Sequence, residues 1–298
     1  MSDKYRSVGF VGLGAMGYPM AQQLAKKLPN SSQIYVFDVI RQSIQKLCSQ
    51  ENGRFNSCQS AKEVAERSEI IISMVPEGSH VRQVYLDEKA GVLTADVSGK
   101  LMIDMSTIDT ATSNTVREQA LSKYPSASFY DAPLPLLQDL LGMMGKSIFP
   151  CGGPSLGLTA KLCNNYCSGL IAIATSEALN IGMRSGMDPR VLANIFHTST
   201  AQSAICDKWN PVPGLCPEAP ASHGYQAGFK VQLMKKDFGL AVDTAERVGA
   251  RLALGKVGLE VYEKTSEDPE CRDLDSRVVY RYLGGKEDWE KDFASGKS

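Results

Sequence analysis

The sequence has few of the residues that build metal centres. It contains three histidines, far apart, and eight cysteines, none of which forms a CxxC pair. Cys163 and Cys167 are four residues apart, a spacing that on a helix serves packing more often than chemistry. Because zinc sites need clustered Cys and His ligands, we expect no metal site. Scattered thiols are typical of a reducing compartment rather than of secreted proteins.

An excess of one charge sign and long apolar runs are also missing. The chain has 32 Lys and Arg against 33 Asp and Glu, a formal net charge of −1. Without a basic excess to attract phosphates, we expect neither nucleic acid nor an anionic membrane as a partner. No apolar run reaches membrane-spanning length. The first residues, "MSDKYRSVGFVGLG", show neither an apolar signal-peptide core nor an arginine-rich leader.

The first half of the chain alternates apolar strands with helical segments. With 298 residues, 43% of them apolar, the chain is long enough for two domains. Alternating strands and helices predict a parallel sheet covered on both faces. The predicted strands are "SVGFVGLG" (7–14), "QIYVFD" (33–38), "EIIISMV" (69–75), "KLMIDMST" (100–107), "ASFYDAP" (127–133) and "SIFPCGG" (147–153).

The second half has helical periodicity only. One long run, 157–186, is expected to end at Gly186, since glycine takes the left-handed conformation at a helix end. Asp188 and Pro189 then suit the N-cap and first turn of the next helix. We therefore predict an α/β domain at residues 1–153 and an all-α domain at residues 154–298, begun by a long helix at the boundary.

A glycine-rich turn between the first strand and the first helix predicts a dinucleotide site. A lone Gly-x-Gly-x-x-Gly is a weak signal, but here it lies between strand and helix, and a second strand ends about twenty residues later. The first glycine permits the tight turn, the second lets a pyrophosphate approach and the third lets helix and strand pack closely. The helix N-terminus attracts phosphates. The predicted contacts are Gly12, Leu13, Gly14, Ala15, Met16 and Gly17.

Asp38, which ends the second strand, indicates which dinucleotide is bound. Its carboxylate suits the ribose hydroxyls of NAD and would repel the 2′-phosphate of NADP. Arg41 is the residue that could instead meet such a phosphate, although a solvated helix residue is the simpler interpretation. The alternative for the whole motif is a structural turn followed by a solvated aspartate.

Five motifs spread along nearly the whole chain resemble one family. They are "GFVGLGAMGYPMAQQL" (9–24), "IDMSTID" (103–109), "GLTAKLCNN" (157–165), "NPVPG" (210–214) and "GFKVQLMKKDFGLA" (228–241). Together they resemble the β-hydroxyacid dehydrogenases, in particular the 3-hydroxyisobutyrate branch. The resemblance implies a Rossmann-like domain and NAD-dependent oxidation of a small β-hydroxy acid, 3-hydroxyisobutyrate, to methylmalonate semialdehyde in valine degradation. It also implies a homodimer or homotetramer in the mitochondrial matrix; with no visible transit peptide, the cytoplasm is the alternative.

The same resemblance assigns roles to individual residues. Lys161 is the expected general base, although composition alone favours a surface lysine. Asn165, one helical turn later, is expected to support it or to bind substrate. Ser106 and Thr107 are expected to bind substrate, the alternative for Ser106 being a helix N-cap. Cofactor contacts are also implied for Val75, Pro76, Phe229 and Lys236.

The chain departs from the family pattern after Pro133. The family continues Asp-Ala-Pro with Val-Ser-Gly-Gly, a helical turn and a further strand, whereas here Leu134 and Pro135 follow at once. The backbone amides that help to hold the substrate carboxylate in the family are therefore expected to be missing. We interpret the join as a splice variant or an exon lost in gene prediction. A related semialdehyde or β-hydroxyacid reductase, or an impaired NAD-binding variant, are the alternative functions.

Overall fold

A computed structural model describes residues 5–50, 53–131, 138–145 and 147–293. The chain divides into two compact units, Met1–Lys161 and Leu162–Ser298. The expected join after Pro133 lies outside the described residues. The expected domain boundary after residue 153 stays a prediction.

The first unit contains a six-stranded parallel sheet in the order β3-β2-β1-β4-β5-β6. Val8, Phe10 and Ile72 are fully buried because helices cover both faces. Phe10 pairs with Val36 on one side and with Ile72 on the other, so β1 lies where the strand order reverses. Ligands of such sheets bind at the carboxyl ends of strands near this reversal. The strands are β1 (Ser7–Val11), β2 (Gln33–Phe37), β3 (Phe55–Ser57), β4 (Ile70–Ser73), β5 (Leu101–Asp104) and β6 (Ser128–Tyr130).

Among the described residues, six helices lie wholly within this unit. Ser60 caps α3 by accepting a hydrogen bond from the Glu63 amide, which satisfies an otherwise free donor of the first turn. Leu140 and Leu141 of α6 are buried in the same apolar core as Leu24 of α1. The helices are α1 (Gly17–Lys27), α2 (Arg41–Gln50), α3 (Ala61–Arg67), α4 (Gly78–Leu86), α5 (Thr110–Lys123) and α6 (Gln138–Met144).

Two strand predictions need correction. β3 was not expected, because three residues are too few to show an alternating pattern. The predicted strand at 147–153 is wrong, since none of the described residues of that segment is in a strand. Phe149 is 74% exposed and Gly152 has a φ of +97°, a left-handed conformation that interrupts an extended strand. An apolar run becomes a strand only where a neighbouring strand pairs with it.

The second unit is helical. Beyond residue 147, the described residues contain one isolated antiparallel bridge, between Lys230 and Asp275. They contain no strand. Three aromatic rings pack together in its core. The ring centroid of Phe238 lies 4.7 Å from that of Tyr166 and 5.7 Å from that of Tyr262. The helices are α7 (Leu156–Arg184), which begins in the first unit, α8 (Pro189–Thr198), α9 (Ala204–Lys208), α10 (Val231–Arg247), α11 (Gly255–Glu267), α12 (Val279–Tyr282) and α13 (Glu290–Phe293).

The end of α7 and the start of α8 confirm the predicted helix C-terminus and N-cap. Gly186 has a φ of +85°, as expected for the residue that closes a helix. The Asp188 side chain caps α8 by accepting a hydrogen bond from the Arg190 amide at 2.9 Å, with Pro189 in the first turn.

Candidate functional site

The three glycines of the first turn have distinct surroundings. Gly12 has a φ of +97°, and a Cβ there would lie 2.2 Å from the Met74 carbonyl oxygen. A Cβ on Gly17 would lie 2.0 Å from the carbonyl oxygen of Gly12. A Cβ on Gly14, by contrast, would meet no atom within 4 Å. The turn is therefore closed beneath and open above, a shape that admits a ligand phosphate close to the backbone.

The remaining residues of this turn lead into α1. Leu13 is buried, whereas Ala15 and Met16 are exposed. No side chain caps the N-terminus of α1, and its first turn has no acidic residue. A helix end of this kind leaves free N–H groups and a partial positive charge for an anion.

Asp38 holds the end of β2 against the glycine turn. Its two carboxylate oxygens accept hydrogen bonds from the backbone amides of Leu13 at 2.5 Å and Ile40 at 2.7 Å. The sequence indicated a ribose contact but not this second, structural role. Arg41, the first residue of α2, is exposed. The ribose contact itself stays a prediction.

A buried polar network lies at the carboxyl ends of β4 and β5. The Ser106 hydroxyl donates to Asp104 Oδ1 at 2.6 Å and accepts from the Val75 amide at 2.9 Å. Ser73 Oγ also donates to Asp104 Oδ1, at 2.8 Å, and lies 2.8 Å from the Tyr85 hydroxyl. Burial raises the pKa of Asp104 to about 6, although hydrogen bonds from the two serines oppose the shift.

This network contains residues that the sequence argument missed. Asp104, Ser73 and Tyr85 are each no more than 2% exposed. A charged residue that closes an apolar strand, as in "LMID", was the available signal, because such a group is rarely buried without partners. The N-cap alternative for Ser106 is wrong, since Asp109 caps α5 by accepting from the Thr112 amide at 2.8 Å. Thr107 lies between them and is partly buried.

Asp131, at the end of β6, holds the residue that precedes α7. Its carboxylate accepts from the Ser155 amide at 3.2 Å and from the Ser113 hydroxyl at 3.1 Å. Ser155 Oγ donates to Asn114 Oδ1 at 3.0 Å. Ser155 has a φ of +59°, which is uncommon for a residue other than glycine. Two side-chain hydrogen bonds therefore hold the start of the helix that carries Lys161, and Ser113 holds Asp131, which makes one of them.

Lys161 and Asn165 lie one turn apart on α7. Lys161 is exposed, whereas Asn165 is only 6% exposed. The Asn165 amide donates to Asp237 Oδ2 at 2.6 Å, and Lys236 Nζ lies 3.1 Å from Asp237 Oδ1. Asp237 was not singled out from the sequence, yet within the second unit it joins Asn165 of α7 to Lys236 of α10. Phe229, which precedes α10, is partly buried, and its amide donates to Asp275 Oδ2 at 2.8 Å.

The candidate residues of the first unit gather at one edge of the sheet. The glycine turn, Asp38, Val75-Pro76 and Ser106-Thr107 follow the carboxyl ends of β1, β2, β4 and β5, in that order.

In the described part of the chain, no three His, Cys, Asp or Glu residues are grouped so as to hold a metal ion. Among the helices described, none combines the length and apolarity that a bilayer crossing requires.

Comparison with known proteins gives the same picture for each half of the chain. Residues 7–135 match the family of the NAD-binding domain of 6-phosphogluconate dehydrogenase. Residues 156–283 match the family described as the NAD-binding domain of NADP-dependent 3-hydroxyisobutyrate dehydrogenase. These matches confirm the prediction of a nicotinamide dinucleotide cofactor.

Three individual proteins illustrate the similarity. A probable mitochondrial 3-hydroxyisobutyrate dehydrogenase of Dictyostelium discoideum is 37% identical over 93% of this chain and 91% of its own length. An NAD-dependent L-serine dehydrogenase of Pseudomonas aeruginosa is 30% identical over 86% of this chain and 91% of its own length. The structure of Mycobacterium tuberculosis 3-hydroxyisobutyrate dehydrogenase with L-serine superposes with a TM-score of 0.83 at 27% identity, covering 94% of this chain and 99% of that one.

The two relatives compared by sequence are at least 30% identical to this chain over most of its length. Together with the two matching families, they leave one conclusion. The chain belongs to the 3-hydroxyisobutyrate dehydrogenase family of NAD-dependent oxidoreductases.

Proposed function

We propose that this β-hydroxyacid dehydrogenase oxidises 3-hydroxyisobutyrate to methylmalonate semialdehyde, with Lys161 as the general base. The observation that carries the proposal is the geometry of α7. This helix is continuous from Leu156 to Arg184 and places Lys161 one turn before a buried asparagine that Asp237 holds in position. Dictyostelium discoideum supplies a relative, 37% identical, that is named for this substrate.

The described residues fit a nicotinamide dinucleotide. The turn is open above Gly14, the N-terminus of α1 is free of side-chain caps, and Asp38 stands at the end of β2. These features would hold the pyrophosphate and the adenine ribose. We propose NAD rather than NADP, because the Asp38 carboxylate would repel a 2′-phosphate. When bound, the cofactor supplies the hydride acceptor.

The residues on α7 would handle the proton. Oxidation of an alcohol requires a base at the hydroxyl oxygen, and Lys161 Nζ in its neutral form would accept that proton. Asn165 would orient the substrate or the lysine from the same helix face. Its amide is held by Asp237, so it loses little side-chain freedom when a ligand binds. Ser106 and Thr107, at the end of β5, form the loop proposed to receive the substrate.

L-Serine is the second candidate substrate, because one relative of 30% identity is an NAD-dependent L-serine dehydrogenase. The two compounds share a primary alcohol and a carboxylate. At the carbon next to the carboxylate, 3-hydroxyisobutyrate has a methyl group and L-serine has a charged ammonium group. Buried contacts distinguish such groups strongly, since an unpaired ammonium is costly to desolvate. Comparing kcat/KM for the two substrates with NAD would decide: a higher value for L-serine would overturn 3-hydroxyisobutyrate as the substrate.

The missing Ser-Gly-Gly segment bears on how the carboxylate is held. Since the family's carboxylate-binding amides come from that segment, we propose that this chain binds β-hydroxy acids weakly. Inserting the relative's segment after Pro133 should lower the KM for 3-hydroxyisobutyrate and leave the Kd for NAD unchanged. A KM that stays the same would show that the carboxylate is held elsewhere. NAD binding with no turnover by either form would support the impaired variant.

The setting of the enzyme is proposed by analogy with its relatives. The Dictyostelium discoideum relative is named as mitochondrial, which favours the mitochondrial matrix, with the cytoplasm as the alternative. A homodimer or homotetramer is the proposed assembly. Subcellular fractionation and the molar mass in solution would test the two statements separately.

A further inference from the structure

A side chain of the loop that follows β5 contacts the loop that follows β4. Ser106 Oγ accepts the Val75 amide proton at 2.9 Å and donates its own proton to Asp104 Oδ1 at 2.6 Å. Ser106 is 6% exposed and Asp104 is 2% exposed. Hydrogen bonds to a charged group in such an environment are stronger than neutral ones.

The direction of these bonds limits what Ser106 can do. A serine hydroxyl has one proton, and here Asp104 receives it. A substrate carboxylate can only accept hydrogen bonds, so it needs a donor. The Ser106 side chain therefore has no proton left for a carboxylate while the bridge to Asp104 persists.

Asp104 also occupies its site at a cost. Its Oδ2 is buried and accepts no hydrogen bond from any described residue. Burial of a carboxylate with one unsatisfied oxygen is unfavourable, and an apolar residue would pack at the end of β5 without that penalty. Such a residue is more readily explained by positioning than by stability.

We infer that Asp104 is a positioning residue which, through the Ser106 hydroxyl, fixes the Val75-Pro76 loop relative to the Ser106-Thr107 loop. This inference rests on the proposed function, in which Val75 and Pro76 contact the cofactor and Ser106 and Thr107 form the substrate loop. Ser106 acts through its bridge, and the backbone of its loop, together with Thr107, remains the part that meets the substrate.

The test measures NAD binding without any substrate. In Ser106→Ala and Asp104→Ala the bridge is broken, and the Kd for NAD should rise about tenfold, the effect of losing one well-formed hydrogen bond. The double variant should bind NAD as the weaker single variant does, because both changes break the same bridge. Asp104→Asn keeps an acceptor oxygen for Ser106 and should stay within about twofold of the wild type.

Ser73→Ala is the matched control. Ser73 Oγ also donates to Asp104 Oδ1 and is fully buried, but the Val75 amide donates its hydrogen bond to Ser106. Its loss should lower the melting temperature with little effect on the Kd for NAD. Hydrogen exchange at the Val75 amide gives a second readout: exchange should be at least about tenfold faster in Ser106→Ala and unchanged in Ser73→Ala.

Three results would overturn the inference. One is an unchanged Kd for NAD in folded Ser106→Ala with only the KM for the β-hydroxy acid raised, which would make Ser106 a direct substrate ligand. Another is an equal loss of NAD binding in Ser73→Ala, which would indicate general destabilisation. A wild-type protein that binds no NAD would overturn the proposed function as well. If Asp104→Ala does not fold, Ser106→Ala alone decides.

Discussion

At the scale of residues, two aspartates at strand ends differ in their surroundings. Asp38 is half-buried and accepts two backbone amides. Asp104 is almost fully buried, and its pKa is raised to about 6 by desolvation. The first is proposed to meet the cofactor as well, whereas the second contacts its protein neighbours. We therefore expect substitution with asparagine to change cofactor preference at Asp38 and the pH dependence of stability at Asp104.

Asp38→Asn should shift the cofactor preference toward NADP. The change removes the charge that repels a 2′-phosphate but leaves one acceptor oxygen for the neighbouring amides. The ratio of the Kd for NADP to the Kd for NAD should fall about tenfold or more, in line with the 1.5–3 kcal/mol of a hydrogen bond to a charged group. Titration calorimetry gives both constants. An unchanged ratio in a folded variant would remove Asp38 from cofactor selection, and Arg41→Ala tests whether Arg41 assists NADP binding.

Asp104→Asn should change how stability depends on pH. The unfolded pKa of aspartate is about 3.9, so between about pH 4 and pH 6 the native state binds more protons than the unfolded state. The contribution of Asp104 to the free energy of unfolding is therefore largest below pH 4 and is lost as the pH rises to 6. The free energy of unfolding of the wild type relative to Asp104→Asn should fall by about 2 kcal/mol from pH 4 to pH 7.

Urea denaturation at several pH values would measure this difference. Asp96→Asn is the control with the opposite sign, because hydrogen bonds from Ser98 lower the pKa of the exposed Asp96 carboxyl. The stability of the wild type relative to this control should rise with pH. A flat difference for Asp104→Asn would mean that the Asp104 carboxyl titrates as it does in water.

At the scale of elements, pattern length decided what the sequence could predict. The sequence predicted four of the strands, because each contains several buried apolar positions: β1, β2, β4 and β5. It predicted the end of α7 from the glycine that follows the helix. The three residues of β3 are too few for a pattern, and segment 147–153 is apolar without a pairing partner. The position of Asp104 at the end of an apolar strand was a signal in the sequence, but its partners Ser73 and Tyr85 were not readable, because they come from β4 and α4 and meet Asp104 only after folding.

The contact between α7 and α10 should be sensitive to Asp237. This residue is 2% exposed and contacts both the Asn165 amide and the Lys236 ammonium. Asp237→Ala would leave both groups without that partner, so the free energy of unfolding should fall by about 3 kcal/mol. Chemical denaturation measures the loss. Lys235→Ala, on the same helix, is the control and should cost less than about 1 kcal/mol. Equal losses would show that the Asp237 contacts contribute little.

At the scale of the whole molecule, the residues proposed to take part in the reaction are found in both units. The first unit contains the glycine turn, the strand-end loops and Lys161, and the second contains Asn165, Asp237 and Lys236. The family was recognisable from the sequence because its motifs fall in both units. The choice of β-hydroxy acid was not, because a methyl and an ammonium group are distinguished by contacts that no short motif encodes.

The most direct test of Lys161 as the general base is the rate of NADH formation from 3-hydroxyisobutyrate by the wild type and by Lys161→Ala. We expect the wild type to form NADH. The substitution should lower kcat by about 10²–10⁴-fold, the usual contribution of a general base, while the Kd for NAD stays the same. A Lys161→Ala protein that turns over at the wild-type rate, or a wild type that binds NAD but oxidises no β-hydroxy acid, would contradict the account.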